Sequence, residues 1–252
     1  MKTKNNIRIK TPAEIDILRK AGRILASIIT DLKGSLTIGM TTKEIDLKTE
    51  DLIKKYGVRS AFKGYRKFPG CACISVNEGV VHGIGNSRVI VAGDIVSLDV
   101  GIIYDDFYSD TATTVGVGQI DAHKQRLLDV AQSSLYKGIE AAKVGNRLSD
   151  ISYSVQSYVE LHRYSVVRDF VGHGIGKQLH EEPEIPNYGK PGEGPVLEEG
   201  MVLAIEPMVN MGTHRTRVLR DGWTVVTEDG KPSAHFEHCV VITKNGPEIL
   251  TK

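Results

Sequence analysis

The stretch DVGIIYDDFYSD, residues 99–110, holds four aspartates in twelve positions. Asp99 lies inside the apolar run IVSLDV, which reads as a buried strand. An ionised carboxylate there is costly unless a basic partner, a hydrogen-bond cage or a metal compensates it. Asp110 closes the same stretch. With Tyr104 and Asp105 as the turn centre, strand counting sets Asp99 directly opposite Asp110, their Cβ atoms about 4.5–5.5 Å apart. Two carboxylates so placed repel unless a proton or cation lies between them. Asp105 and Asp106 fall at the turn, where aspartate is common for backbone reasons.

Two further carboxylates sit on apolar segments: Glu206 ends MVLAIEP, and Glu237 lies in HFEHCVVI. Asp221-Gly222, a good tight-turn dipeptide, is midway between them. Pro207 argues against a simple long hairpin through that turn. The segment GHGIGKQLHEEP adds His173 and His180 among flexible glycines. It has neither the dinucleotide nor the Walker spacing, so the glycines read as allowing close backbone approach to a histidine. Singly, each acidic residue is more often a solvated surface group. Together, Asp99, Asp110, Glu206 and Glu237 carry four negative charges, which two divalent ions neutralise. Carboxylate-rich ligation with one histidine suits manganese, iron or cobalt better than a structural zinc site. A dinuclear centre is a known device for polarising an amide and activating water.

The elements that must position these groups are readable. Thr11-Pro-Ala-Glu14 and Thr41-Thr-Lys-Glu44 are capping boxes opening two helices, the second running to about Tyr56. A third helix starts near Asp121 and a fourth spans about Leu148 to His162. Strand-like pieces fill the gaps: ACISVNEGVVHGI, RVIVAGDIVSLDVGIIY, DFYSDTATTVGVG, GMVLAIEPMVNM, GWTVVTEDG and HFEHCVVITKNG. Short turns between strands favour an α+β fold with an antiparallel sheet. Gly93-Asp-Ile-Val-Ser-Leu-Asp99 is echoed by Gly200-Met-Val-Leu-Ala-Ile-Glu206, which hints at pseudo-symmetric halves. The 252 residues, 40% apolar and 25% charged, with no linker-like stretch, suit one compact domain over residues 1–252, with residues 1–10 as a short N-terminal extension. The net charge of +1 gives no sign of a grip on nucleic acid or an anionic membrane. No apolar run approaches the roughly 18 residues of a membrane span, and the N-terminus does not read as a secretory signal. Cys71, Cys73 and Cys239 lack a disulfide framework, which suggests reduced thiols and a cytoplasmic setting.

These motifs in combination resemble the type I methionine aminopeptidases of the pita-bread fold, relatives of prolidases and aminopeptidase P. The resemblance runs from about Thr11 to Leu250 through NEGVVHGI, GDIVSLDVGIIYDDFYSDTATT, GHGIGKQLHEEP, GMVLAIEPM and DGWTVVTEDGKPSAHFEHCVVIT. It implies a curved antiparallel sheet, helices on its outer face and pseudo-two-fold symmetry. It implies five metal ligands, Asp99, Asp110, His173, Glu206 and Glu237, holding two divalent ions: cobalt, manganese or iron, with zinc or nickel as further candidates. Only 32 residues lie between His173 and Glu206, too few for the type II helical insert. RDFVGHGIGKQLH lacks the extra upstream histidine of aminopeptidase P-like enzymes.

The implied activity is removal of N-terminal methionine from newly made proteins when the second residue is small. A water or hydroxide between the ions attacks the first peptide carbonyl. Asp99 chelates one ion, His173 and Glu206 the other, and Asp110 and Glu237 bridge. Glu206 shuttles the proton, while His82 and His180 contact substrate and act in catalysis. Tyr65, Phe68, Cys73 and Trp223, with Phe62 and Leu179 nearby, match the methionine pocket, where thiol and aromatic contacts suit a thioether. Of Cys71 and Cys73, one is expected to face this pocket. Arg66, Gly79, Gly85, Ser97, Ser109, Gln178 and Leu179 depart from the commonest family residues without removing a ligand. His123, His162, His214, His235 and His238 read as non-catalytic; His238 points away from the face of Glu237, whereas His235 shares it. The implied partners are N-terminal peptides of new chains, met at the ribosome, with no nucleic acid or membrane partner, for a monomeric enzyme. The alternatives are a proline-directed aminopeptidase, disfavoured by the histidine pattern, and a non-enzymatic peptide-binding pita-bread protein, which would typically have lost ligands.

Overall fold

The computed structural model describes residues 7–252. Helix α1 (Pro12–Ser35) and helix α2 (Thr42–Lys55) both start at the expected threonines, each closed by a complete capping box. Helix α3 (Ala122–Ala141) is capped by Asp121, and helix α4 (Leu148–Leu161) follows. Residues 1–6 of the expected extension lie outside the described residues. Residues 7–10 pack onto the domain: Ile7 is buried in the core, and Lys10 donates its backbone N–H to Gly200 O.

Among the described residues all strand pairings are antiparallel, as the short turns require. Among the same residues the main sheet has nine strands, and its centre is two hairpins set side by side. The first joins Ile95–Tyr104 to Phe107–Gly116; the second brings Val202–Ile205 against Glu237–Thr243. Phe107–Gly116 and Glu237–Thr243 pair with each other, which makes the hairpins meet at an internal seam. The echoed glycines open both halves alike: Gly93 has φ +92° and Gly200 φ +86°, a region that disfavours side chains with a Cβ.

Side-chain alternation in these strands separates two buried faces. Val96, Leu98, Val100 and Ile102 join the core beneath α1 and α2, while Leu203, Ile205, Val240 and Ile242 join the core beneath α3 and α4. A fully buried side chain of this size contributes about 1.5–3 kcal/mol. The odd-numbered face of Ile95–Tyr104 turns toward the concave side and carries Asp99. With helices on one face and the concave side on the other, every residue from Ile95 to Ile102 is buried, which explains why this strand reads as a nearly continuous apolar run.

Two registers differ from expectation. The first hairpin turns at Asp105 and Asp106, both with positive φ (49° and 59°), as a two-residue primed turn demands. Asp99 therefore pairs with Ala112 and Asp110 with Gly101, a slip of two residues from the counted register. A slip of two preserves side-chain parity, so both aspartates still share one face. The second register is the long hairpin that Pro207 argued against. Val202–Ile205 with Glu237–Thr243, Met208–Asn210 with Ser233–His235, and Thr216–Val218 with Val225–Thr227 all keep one continuous register about Asp221-Gly222. Pro207 removes a single donor while its carbonyl still accepts from Phe236 N, and the ladder passes there from the main sheet into a three-stranded one.

Candidate active site

The concave side holds a cavity of about 400 Å³ lined by Asp99, Asp110, His173, Glu206 and Glu237. Asp99 and Asp110 come from the first hairpin and Glu237 from the second. Glu206 sits one residue past Ile205, at the break before Pro207. His173 lies on Gly172–Gly174, which is a strand between Val202–Ile205 and Glu181–Ile185 rather than a flexible loop. The flanking glycines are required by this sandwich: a Cβ on Gly172 would stand 2.5 Å from Ala204 O, and one on Gly174 2.1 Å from Glu182 O.

The electrostatics are those that divalent cations would compensate. Asp99 Oδ1, Asp110 Oδ1 and Glu237 Oε1 are buried without a hydrogen-bond partner. Burial, aided by Glu206, pushes the Asp99 carboxyl up to about 8. Asp110, Glu206 and Glu237 are also held well above the carboxylate range, by burial first and by a neighbouring carboxylate second, Asp99 acting on Asp110 and Asp110 on Glu206 and Glu237. Burial and neighbouring His180 bring His173 down to about 3, so its imidazole is neutral. Its Nδ1–H donates to Gly174 O (2.9 Å), which leaves the Nε2 lone pair facing Glu206 Oε1 at 3.5 Å. Two lone pairs aimed at each other call for a cation between them. Ligand atoms of Asp110, His173 and Glu237 lie within 4.8 Å of one another, a spacing one ion can span. The donor set is oxygen-rich with one imidazole, which fits a catalytic divalent metal.

The same cavity gathers the expected pocket residues Tyr65, Phe68, Cys73, His82, His180 and Trp223, with Phe62 and Leu179. Phe68 meets Trp223 edge-on, with ring centroids 5.1 Å apart, and Trp223 meets His82 at 6.2 Å. Cys73 pairs directly with Asp99 across neighbouring strands and lines the pocket, whereas Cys71 belongs to the core under α1 and α2. Buried Asp46 of α2 anchors this strand by accepting from the N–H groups of Cys71 and Ala72. Tyr65 Oη lies 2.8 Å from His180 Nδ1, which leaves His180 Nε2 to face a bound ligand. Burial lowers His82 to about 4, and it lowers His180 with help from Arg66. An outer cavity of about 560 Å³ shares Arg66, Val171, His173, His180 and Glu184 with the inner one. The two adjoin along these shared residues.

Sequence reasoning missed two neighbours. Phe170 packs edge-on against His82 (5.4 Å), and nothing in its sequence context marks it. His235 is buried with neither ring nitrogen hydrogen-bonded, its Nε2 3.5 Å from Glu206 Oε2. Its signal was parity with Glu237. His238 points to the opposite face, bonded to Thr251 Oγ1 at 2.8 Å.

Comparison with known proteins agrees with this geometry. The model of metallopeptidase family M24 matches residues 16–244. The chain is 54% identical to a methionine aminopeptidase of Clostridium perfringens over 245 residues, covering 97% of this chain and 98% of that one. It is 52% identical to methionine aminopeptidase 1 of Bacillus subtilis, covering 96% and 98%. Its structure is similar to the crystal structure of methionine aminopeptidase from Thermotoga maritima, with TM-score 0.96 and 48% identity over 98% of this chain and 99% of that one. The prolidase of Pyrococcus furiosus is more distant, at TM-score 0.79 and 27% identity, with 97% of this chain covering 65% of that one.

Proposed function

We infer the function from one premise: the chain belongs to metallopeptidase family M24 and has the pita-bread fold. It is a divalent-metal-dependent methionine aminopeptidase, which removes N-terminal methionine when the second residue is small. The observation that carries this reading is the cavity itself, in which Phe62, Phe68, Cys73, Leu179 and Trp223 line the same space as four carboxylates and a neutral imidazole.

Within that activity we propose two ions, held by Asp99, Asp110, His173, Glu206 and Glu237. The orphaned carboxylate oxygens and the charge count support two rather than one. Manganese, iron and cobalt suit the donor set. Bound ions supply Lewis acidity toward the scissile carbonyl and acidify the attacking water. The remaining roles fall to the chain. Glu206, beside His173 and His235, takes the proton of the attacking water and delivers it to the leaving amine. His180, its Nδ1 held by Tyr65, presents Nε2 to the oxygen that gains charge. His82, kept neutral by burial, meets the substrate amide from the other wall. Phe62, Phe68, Cys73, Leu179 and Trp223 enclose the methionine side chain and exclude water. Crowding around the carboxylates rejects a large second residue by clash.

We propose that the substrates are N-terminal peptides of newly made proteins, met at the ribosome by a cytoplasmic monomer. The three free, buried thiols support a reducing compartment, and no helix among the described residues is long and apolar enough to cross a membrane. The test is cleavage of Met-Ala-Ser, Met-Leu-Ser and Ala-Pro-Ser by metal-stripped protein after manganese or cobalt is restored. Metal-dependent release of methionine from the first peptide alone is expected. Release of alanine from the third would move the chain to the proline-directed branch.

A further inference from the structure

His235 sits where the reading above needs nothing, yet its surroundings are built. Its main chain is clamped by one hydroxyl: His235 N–H donates to Thr114 Oγ1 (2.9 Å), and Thr114 Oγ1 donates to His235 O (2.8 Å). Ser97 Oγ meets the same Thr114 hydroxyl at 2.8 Å. This chain crosses the seam between the two hairpins. The imidazole is 2% exposed, and neither of its nitrogens has a hydrogen-bond partner. A buried polar ring without partners is costly, so it needs a use.

Register supplies one. Met208 pairs with His235, so His235 and Glu206 are diagonal neighbours on one face. Glu206 thus lies between two imidazoles, His173 Nε2 at 3.5 Å from Oε1 and His235 Nε2 at 3.5 Å from Oε2. The two contacts differ in kind. His173 has its proton committed to Gly174 O and offers a lone pair. His235 has no such commitment, so its Nε2 is free to carry the proton toward a carboxylate. A small turn of the Glu206 carboxylate brings that 3.5 Å contact within hydrogen-bond range, as catalytic contacts tighten on loading.

We propose that His235 is a positioning residue: its Nε2–H holds Glu206 Oε2 and reserves Oε1 for the cation shared with His173. The arrangement divides one carboxylate between two tasks, ligation on Oε1 and an oriented edge on Oε2. It follows the general rule that outer partners orient ligands and tune them. The proposal rests on Glu206 as ligand and proton shuttle.

The test compares His235→Gln, His235→Asn and His235→Leu with the parent chain. Manganese is titrated calorimetrically into the metal-free proteins, and kcat and KM are read separately on Met-Ala-Ser at saturating manganese. Leu is expected to weaken one manganese site and lower kcat by about 10–100-fold each, with KM nearly unchanged. Gln, which reaches with an amide N–H, is expected to return within about threefold of the parent. Asn, too short to reach, is expected to behave like Leu. The Gln and Asn pair keeps the test decisive if Leu fails to fold, since both preserve polarity. Parent-like manganese affinity and kcat in Asn would overturn the proposal, and so would equal losses in Gln and Asn. Glu206→Gln serves as the control: parent-like turnover there would overturn the shuttle reading itself, whatever His235 does.

Discussion

The two hairpins that meet at the centre of the sheet are alike in plan and unlike in chemistry. Each supplies one carboxylate near the seam, Asp110 or Glu237, and one farther out, Asp99 or Glu206. Around Asp99 the first half sets Cys73, Ala112 and the aromatic pocket wall. Around Glu206 the second half sets His173 and His235. A pseudo-symmetric scaffold thus carries an asymmetric site. The Asp99 side is soft and apolar, suited to seating a methionine; the Glu206 side is rich in imidazole, suited to moving protons. Duplicated geometry delivers charge to the middle, and unduplicated side chains make its two surroundings differ.

The comparison breaks most sharply at the outer carboxylates. Glu206→Gln is expected to lower kcat about 10²–10⁴-fold, the range for a lost general base, with an unchanged circular dichroism spectrum. Asp99→Asn is expected to weaken manganese binding by calorimetry yet cost less in kcat at saturating metal. Equal kcat losses in both would mean that the halves are chemically equivalent. Next comes His180→Ala, expected to lower kcat about 10²–10³-fold at little cost in stability, as for the loss of one charge-stabilising donor.

Metal removal tests both halves at once. In the metal-free protein Asp99 has its folded value raised to about 8. Between its ordinary value of 3.8 and 8 the folded state binds more protons than the unfolded one, so metal-free stability falls as pH rises through that window. Manganese displaces those protons, so its stabilising effect should be larger at pH 8 than at pH 6. At a hundredfold excess over Kd the gain is about 2.7 kcal/mol, or roughly 5–10 °C in Tm by scanning calorimetry. An equal Tm gain at both pH values would contradict the raised carboxyls. The smallest effect is expected on the apolar side. Cys73→Ser should raise KM for Met-Ala-Ser no more than about fivefold, the factor that 1 kcal/mol represents, with kcat preserved.

Much of this was legible in the chain because it is local. Thr11, Thr41 and Asp121 cap their helices as their types require, and Pro12 starts α1. Asp99 stands out inside the apolar run IVSLDV by residue type alone. Where reading failed, a longer-range effect decided. The first register slipped by two because Asp105 and Asp106 both adopt positive φ, a choice that Tyr104 disfavours. Pro207 did not end the second hairpin, because flanking pairs held the register across one missing donor. The glycines around His173 looked flexible; two neighbouring backbones, invisible in the segment itself, make them a strand.

By itself, then, the sequence determined the ligand-type residues, the caps that start the helices and the alternation that sorts each strand into two faces. These depend on side-chain type and on periods of two and 3.6, which any short segment carries. Only the tertiary structure decided the registers that bring these carboxylates into one cavity, how far burial lifts them, and that His235 and Tyr65 turn toward Glu206 and His180. Those depend on distances between segments far apart in sequence, and on the removal of water from between them, which no local pattern encodes.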